Sequence, residues 1–341
     1  MGGKPPVSEA RGTSVTQLGC GDDRQRGLDS IDHWVGEVEL VRPPADIVVI
    51  LAPPRSFTTV LSAMLGQHPQ LYGLPETYFL TCDSVDEWAA LYRGTNHTDG
   101  ALRAIAQTIF GAQTTPTVNM ARQWLQARSY LSTSEVLRLL ARRVAPRILV
   151  EKTPAASERL EFMRRMLREF PQARFLHLTR HPSAQVLSRL ERRLRAGRTD
   201  GPTSLAEAAE RLGEDPAWLW FSTHRTILRF LEEVPDHQQL WARGEDVLRA
   251  PDRELGRIAE WLGIRTDEDA IEQMKHPERS VFARAGPRNA LWGGDEKFYA
   301  DPVLRSSSAE PPRLDVPVPW SSDGRRLSDG VRQLATAFGY E

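Results

Sequence analysis

The chain has 341 residues and a formal net charge of −1, with 44 basic side chains against 45 acidic ones. That balance gives no general attraction to nucleic acid or to an anionic membrane, so any anion must be held by a local cluster of basic groups. Two cysteines, Cys20 and Cys82, are too few for a disulfide framework, no residue cluster suggests a metal, and no apolar run reads as a signal peptide or a bilayer span, which together point to a soluble enzyme of a reducing, cytoplasmic setting.

In chain order, residues 1–32 are polar and rich in glycine and charge, a composition that predicts a disordered tail. His33–Pro44 reads as a lead-in with a short edge strand, and residues 33–341 read as one domain. The most informative stretch is Ile47–Glu76, IVVILAPPRSFTTVLSAMLGQHPQLYGLPE. It predicts a buried strand, a tight polar turn, an amphipathic helix and then a carboxylate. A strand feeding a helix in this way builds an anion cradle, because the helix N-terminus offers unpaired N–H groups and the positive end of its dipole.

Laid against G-x-x-x-x-G-K-[ST], Ala52–Thr59 has the right length and the wrong residues for a nucleotide triphosphatase. Ala52 and Phe57 stand in place of the glycines, and Thr58 in place of the lysine that reaches the β- and γ-phosphates. What remains is Arg55, Ser56, Thr58 and Thr59 with the backbone around Phe57, a cradle for a phosphate that is not transferred.

PPRSFTT, followed by a helix, QHP and PE, resembles the 5′-phosphosulfate loop of sulfotransferases that use 3′-phosphoadenosine-5′-phosphosulfate (PAPS), usually written PRSGTT. The likeness is to tyrosylprotein sulfotransferases and to bacterial sulfotransferases of secondary metabolism, including olefin-forming domains of polyketide assembly lines. Phe57 replaces the usual glycine. Among these enzymes the glutamate of the PE pair acts as base, so the resemblance implies that role for Glu76. Cytosolic sulfotransferases use a histidine elsewhere, just beyond the strand that here ends in Glu151 and Lys152. His68, His177 and His181 are rival bases by residue type, but His68 reads as a structural cap, His177 lies in a strand and His181 adjoins Arg180.

Beyond the cradle, an insertion at about 83–145 carries three helical patterns, near Asp86–Tyr92, Gly100–Phe110 and Met120–Ala145. It suits either scaffold or a wall of the acceptor pocket. Arg147–Val150 predicts a short strand ending in Glu151-Lys152-Thr153-Pro154. The resemblance places Lys152 at the sulfuryl group, where an ammonium offsets charge building on the bridging oxygen; an ordinary surface lysine is the plainer alternative.

Ala173–Leu190, ARFLHLTRHPSAQVLSRL, predicts a strand over Phe175–Thr179, then Arg180, a turn and a helix carrying Ser188. Taken singly, Arg180 suits a sheet-edge cap and Ser188 a helix surface. In the family, the matching arginine and serine bind the 3′-phosphate, and an arginine at a strand end can converge with a hydroxyl two helical turns on. Pro216–Val234 predicts a helix whose Trp218 and Trp220 suit core packing or an adenine-side contact. In Leu240–Leu248 a strand precedes an acidic turn, with Gly244 where relatives carry tyrosine. Ala283–Lys297 resembles a loop that closes over the nucleotide, so Arg284, Gly286 and Arg288 become candidate donors to the 3′-phosphate. Glu310–Trp320 reads as a proline-rich surface linker, and Leu327–Tyr340 as a final helix.

The resemblance spans about Ala45–Glu341. It implies an α/β, P-loop-like three-layer fold with a central parallel sheet flanked by helices, and sulfuryl transfer from PAPS without a metal. Arg55–Thr59 would grip the 5′-phosphosulfate, with Arg55, Lys152 and Glu76 as the catalytic set. The acceptor is a hydroxyl of a small molecule, free or carrier-tethered. A P-loop kinase or nucleotide hydrolase, and a catalytically silent PAPS-binding module, are the competing readings.

Overall fold

Ile47–Leu51 (β1) is apolar and buried at every position, as a strand must be when helices cover both faces of a parallel sheet. The computed structural model describes residues 47–195, 201–213, 215–305 and 312–341. The expected tail at 1–32 and the lead-in strand at His33–Pro44 lie outside the described residues. Those described fall in one compact unit, Pro44–Glu341.

β1 is the middle strand of a five-stranded sheet with β2 (Leu71–Gly73), β3 (Ile148–Glu151), β4 (Arg174–Thr179) and β5 (Gln239–Arg243), in the order β2-β3-β1-β4-β5. All pairings are parallel: Val48 lies opposite Val150 on one side, and Ile50 opposite Leu176 on the other. Side chains alternate across a strand. Ile47, Val49 and Leu51 therefore enter one core, and Val48, Ile50 and Ala52 the other.

α1 (Thr58–Leu65) follows β1 and packs in the second core. Between β2 and β3 run α2 (Val85–Leu91), α3 (Asp99–Phe110), α4 (Thr115–Gln126) and α5 (Thr133–Val144). The insertion thus holds four helices among the described residues, not three, because the long Met120–Ala145 pattern breaks at Ser132. That serine opens a capping box with Glu135, whose carboxylate accepts the Ser132 N–H at 2.7 Å. β2 is new relative to the sequence reading; three residues are too few to show a period of two.

The remaining connections are α6 (Leu160–Glu169) after β3, and α7 (Pro182–Arg195), α8 (Leu205–Glu210) and α9 (Trp218–Leu231) after β4. β5 leads to α10 (Gly244–Arg249), α11 (Pro251–Leu262), α12 (Glu268–Met274), α13 (Glu296–Ala300) and α14 (Asp329–Ala337). α3, α5, α6 and α9 cover one face of the sheet, while α1, α11 and α12 cover the other. The described part of the proline-rich stretch is not a free linker. Leu314, Val318 and Trp320 are buried with α14, and the Leu314 N–H bonds the Glu341 carbonyl at 2.8 Å. Because all five strands run the same way, the residues that follow β1, β3 and β4 emerge at one edge, where open α/β sheets place their ligands.

Candidate active site

The turn from β1 to α1 is tight enough to force two residues with side chains into the left-handed region, Arg55 at φ 70° and Phe57 at φ 64°. Such backbone costs about 1–3 kcal/mol per residue and persists only where its surroundings hold it. Here Gln185 Nε2 donates to the Pro54 carbonyl at 2.7 Å, and an Arg180 guanidinium N–H donates to the Arg55 carbonyl at 2.6 Å. No side chain caps α1 at Phe57, which leaves the helix N-terminus available to an anion.

The two segments singled out as candidate anion sites meet. Arg55 Nε donates to Ser188 Oγ at 3.1 Å, joining the first turn to α7. Arg180, at the end of β4, lies over the Phe57 ring at 4.2 Å. Burial pulls its guanidinium down to about 10, with nearby Glu245 opposing that shift. Trp220 Nε1 fixes the Arg180 carbonyl at 2.8 Å. Two buried polar atoms, Ser56 Oγ and Arg180 Nε, have no hydrogen-bond partner among the described residues. Buried polar groups are normally paired, and an anion seated in this cradle is the group that suits both.

Lys152, the first residue after β3, has a side chain only 2% exposed and stands 2.8 Å from both Thr59 Oγ1 and Glu76 Oε1. Glu76 follows β2, and its N–H bonds the Gly293 carbonyl at 2.7 Å. A β-carbon on Gly100 would lie 1.9 Å from the Glu76 carbonyl oxygen, and one on Gly293 (φ +126°) would lie 2.7 Å from Gly100 Cα. Glycine at both positions lets α3 and the 292–298 segment close on the backbone of Glu76. A cleft of about 580 Å³ is lined by Arg55, Thr58, Thr59, Glu76, Arg180 and Ser188, among others.

The sequence reading missed several cleft residues. Tyr78, Tyr92 and His97 form a ring cluster beside Glu76, with Tyr78 and His97 centroids 4.5 Å apart. Burial lowers the His97 imidazole and raises the Tyr78 phenol. Asn96 and His97 show that the insertion contributes both core and cleft wall; nothing in their spacing announces this. Asp295 is the other surprise. Its carboxylate pairs with Arg55 at 2.7 Å and its N–H bonds Thr59 Oγ1 at 3.1 Å. Burial opposes its charge, yet Arg55 and the Lys297 N–H hold the carboxyl below its ordinary value.

Other candidates fall elsewhere. Arg284, Gly286 and Arg288 do not line the cleft: the Gly286 N–H closes a turn on the Leu291 carbonyl, the Arg284 carbonyl is taken by Arg103, and residues 292–298 face the cleft instead. Trp218 is 61% exposed and Trp220 is fully buried, so neither lines the cleft. His68 accepts from the Gln70 N–H and bonds the Arg265 carbonyl, and His177 pairs with His224 at 2.9 Å. His181 is buried against Tyr340. Among the described residues no group of three or more metal-ligating side chains gathers, and no helix is long and apolar enough to cross a membrane.

The arrangement gathers two basic turns on one cleft suited to anionic groups, with the Glu76 carboxylate on the cleft wall and the buried Lys152 ammonium 2.8 Å from it. A sulfotransferase domain from the curacin biosynthetic pathway is similar in structure, with a TM-score of 0.68 at 20% identity over 88% of this chain and 99% of that one. The sulfotransferase domain of the Synechococcus PCC 7002 olefin synthase has a TM-score of 0.65 at 25% identity, over 88% of this chain and 96% of the other. No curated protein matches the chain in sequence. Residues 47–268 match the model of the sulfotransferase family, from β1 to the start of α12 and so across every strand and both basic turns. By that match the chain belongs to the sulfotransferase family and is a sulfotransferase.

Proposed function

We propose that this enzyme moves the sulfuryl group of PAPS to a hydroxyl of a small natural product, free or tethered to a carrier. The observation that carries the reading is the Arg55–Ser188 hydrogen bond, which ties the turn after β1 to the helix after β4 within one cleft. PAPS supplies an activated sulfuryl group on a phosphate leaving group. Arg55, Ser56, Thr58 and Thr59, with the α1 N-terminus, hold the 5′ end, and Arg180 with Ser188 holds the 3′-phosphate. The unpartnered Ser56 Oγ and Arg180 Nε fit that load.

Glu76 takes the proton of the acceptor hydroxyl as its oxygen attacks sulfur, and Lys152 meets the bridging oxygen that departs with the phosphate. An ammonium has three N–H donors. Two of those on Lys152 are committed to Thr59 and Glu76, so one remains for the leaving oxygen. Tyr78, Tyr92 and His97 wall the acceptor side. Similarity to the olefin synthase domain supports an acceptor from secondary metabolism.

Titration with 3′-phosphoadenosine-5′-phosphate and with ATP, paired with a labelled-sulfate screen of hydroxyl compounds, tests this. Tight bisphosphate binding and donor-dependent labelling of an alcohol or phenol are expected. Preference for magnesium-ATP would overturn the donor assignment, and bisphosphate binding without turnover on any acceptor would leave a silent module.

A further inference from the structure

We infer that Phe57 positions the anion-gripping guanidinium of Arg180, and that its ring is admitted only because Gly244 has no side chain. The inference rests on the reading that Arg180 meets the donor's 3′-phosphate. Phe57 sits at φ 64°, a conformation that residues with a β-carbon seldom adopt. The strained backbone turns the ring beneath Arg180, 4.2 Å from the guanidinium carbon. The Arg180 side chain otherwise has one hydrogen bond among the described residues, from NH1 to the Arg55 carbonyl, and its buried Nε has none. One carbonyl at one edge does not fix a planar group; a ring against its face does, and the pair is attractive in its own right.

The Cδ2 edge of the ring explains Gly244. A β-carbon there would stand 2.4 Å from Phe57 Cδ2, 3.2 Å from Cε2 and 3.3 Å from Cγ. Any larger residue at the start of α10 would displace the ring from its present place against Arg180. Residues 57 and 244 therefore share one space, which holds a single side chain.

The test is titration of 3′-phosphoadenosine-5′-phosphate into the wild type, Phe57→Leu, Phe57→Gly, Gly244→Tyr and the Phe57→Gly/Gly244→Tyr double variant, each with its melting temperature. Phe57→Leu keeps bulk and loses the aromatic face, and it is expected to bind about tenfold more weakly, or about 1.4 kcal/mol. Gly244→Tyr alone also weakens binding, while the double variant binds more tightly than Phe57→Gly because a ring grown from position 244 enters the vacated space. In turnover, Phe57→Leu raises KM for PAPS by a larger factor than it lowers kcat. Phe57→Leu binding within twofold of wild type would reduce Phe57 to packing, and a double variant no tighter than Phe57→Gly would refute the shared space. Failure of the wild type to bind the bisphosphate strikes the donor reading instead, and this inference with it.

Discussion

Lys152 Nζ lies 2.8 Å from Glu76 Oε1, so the side chain proposed to meet the leaving oxygen and the one proposed to take the acceptor's proton are bonded to each other. Strand β3 delivers the lysine and the segment after β2 delivers the carboxylate. Their strands are neighbours in register, with Gly73 opposite Val150. The sheet pairing itself brings the two groups to one point.

Glu76→Gln keeps the shape and removes the proton acceptor. It is expected to lower kcat/KM by about 10²–10⁴-fold, the range for loss of a general base, while bisphosphate binding by titration stays within a few-fold of wild type. A variant that turns over normally would move the base elsewhere, with His97 the next group to test.

Asp295 pairs with Arg55 at 2.7 Å. A phosphate must compete with that carboxylate, so Asp295→Asn is expected to bind the bisphosphate about two- to tenfold more tightly, in keeping with a partly exposed ion pair. Asparagine can still accept the Lys297 N–H that starts α13. Weaker binding would show instead that the charge holds the 292–298 segment shut over the donor.

Glu151 is fully buried, and burial pushes its carboxyl up to about 7, against hydrogen bonds from Thr153 and Thr77 that pull it down. A folded-state value above the unfolded one means that the folded chain holds a proton the unfolded chain releases between about pH 4.5 and 7. The resulting stability is present below that window and lost across it. Glu151→Gln should therefore raise the melting temperature most at pH 8, by at most about 3 kcal/mol in stability, and change it little at pH 4.5. Equal shifts at both pH values would refute the buried charge.

The histidines act in the opposite sense. Burial pulls His177 down to about 3 and His181 to about 4, and lowers His224 well below its ordinary value. All three stay neutral when folded, whereas an unfolded histidine takes up a proton below about pH 6.5. Their contribution is full above that pH and falls as pH drops toward 4. Against the one proton that Glu151 holds, three uptakes leave a net of about two, a stability loss on the order of 2–3 kcal/mol per pH unit between 6.5 and 5. Melting curves at pH 7.5, 6.5 and 5.5 check this; a flat profile would contradict it.

That Arg55–Thr59, Lys152 and Arg180 would emerge at one edge was legible because each follows a strand that the local pattern marks, and parallel strands deliver their ends to one edge; Ser188 lies within α7, and Glu76 follows β2, which the pattern does not mark. The residues of the insertion were not legible. Tyr92, Asn96 and His97 reach the cleft only because α2 and α3 fold back across it, and no local spacing encodes that path. Asp295 lay within a segment already singled out, yet Arg284 and Arg288 drew attention as cations. The sequence displays charge sign plainly, but it hides which side of a loop faces inward. Phe57 could be seen to depart from the family's glycine, while its pairing with Gly244 required the approach of β5 to the first turn.

The glycine contact behind Glu76 has a consequence for turnover. Because the Glu76 amide is bonded to Gly293 and α3 touches both through Gly100, the aim of the proposed proton acceptor depends on glycines: a side chain at Gly100 would push the Glu76 backbone out of place and the carboxylate with it.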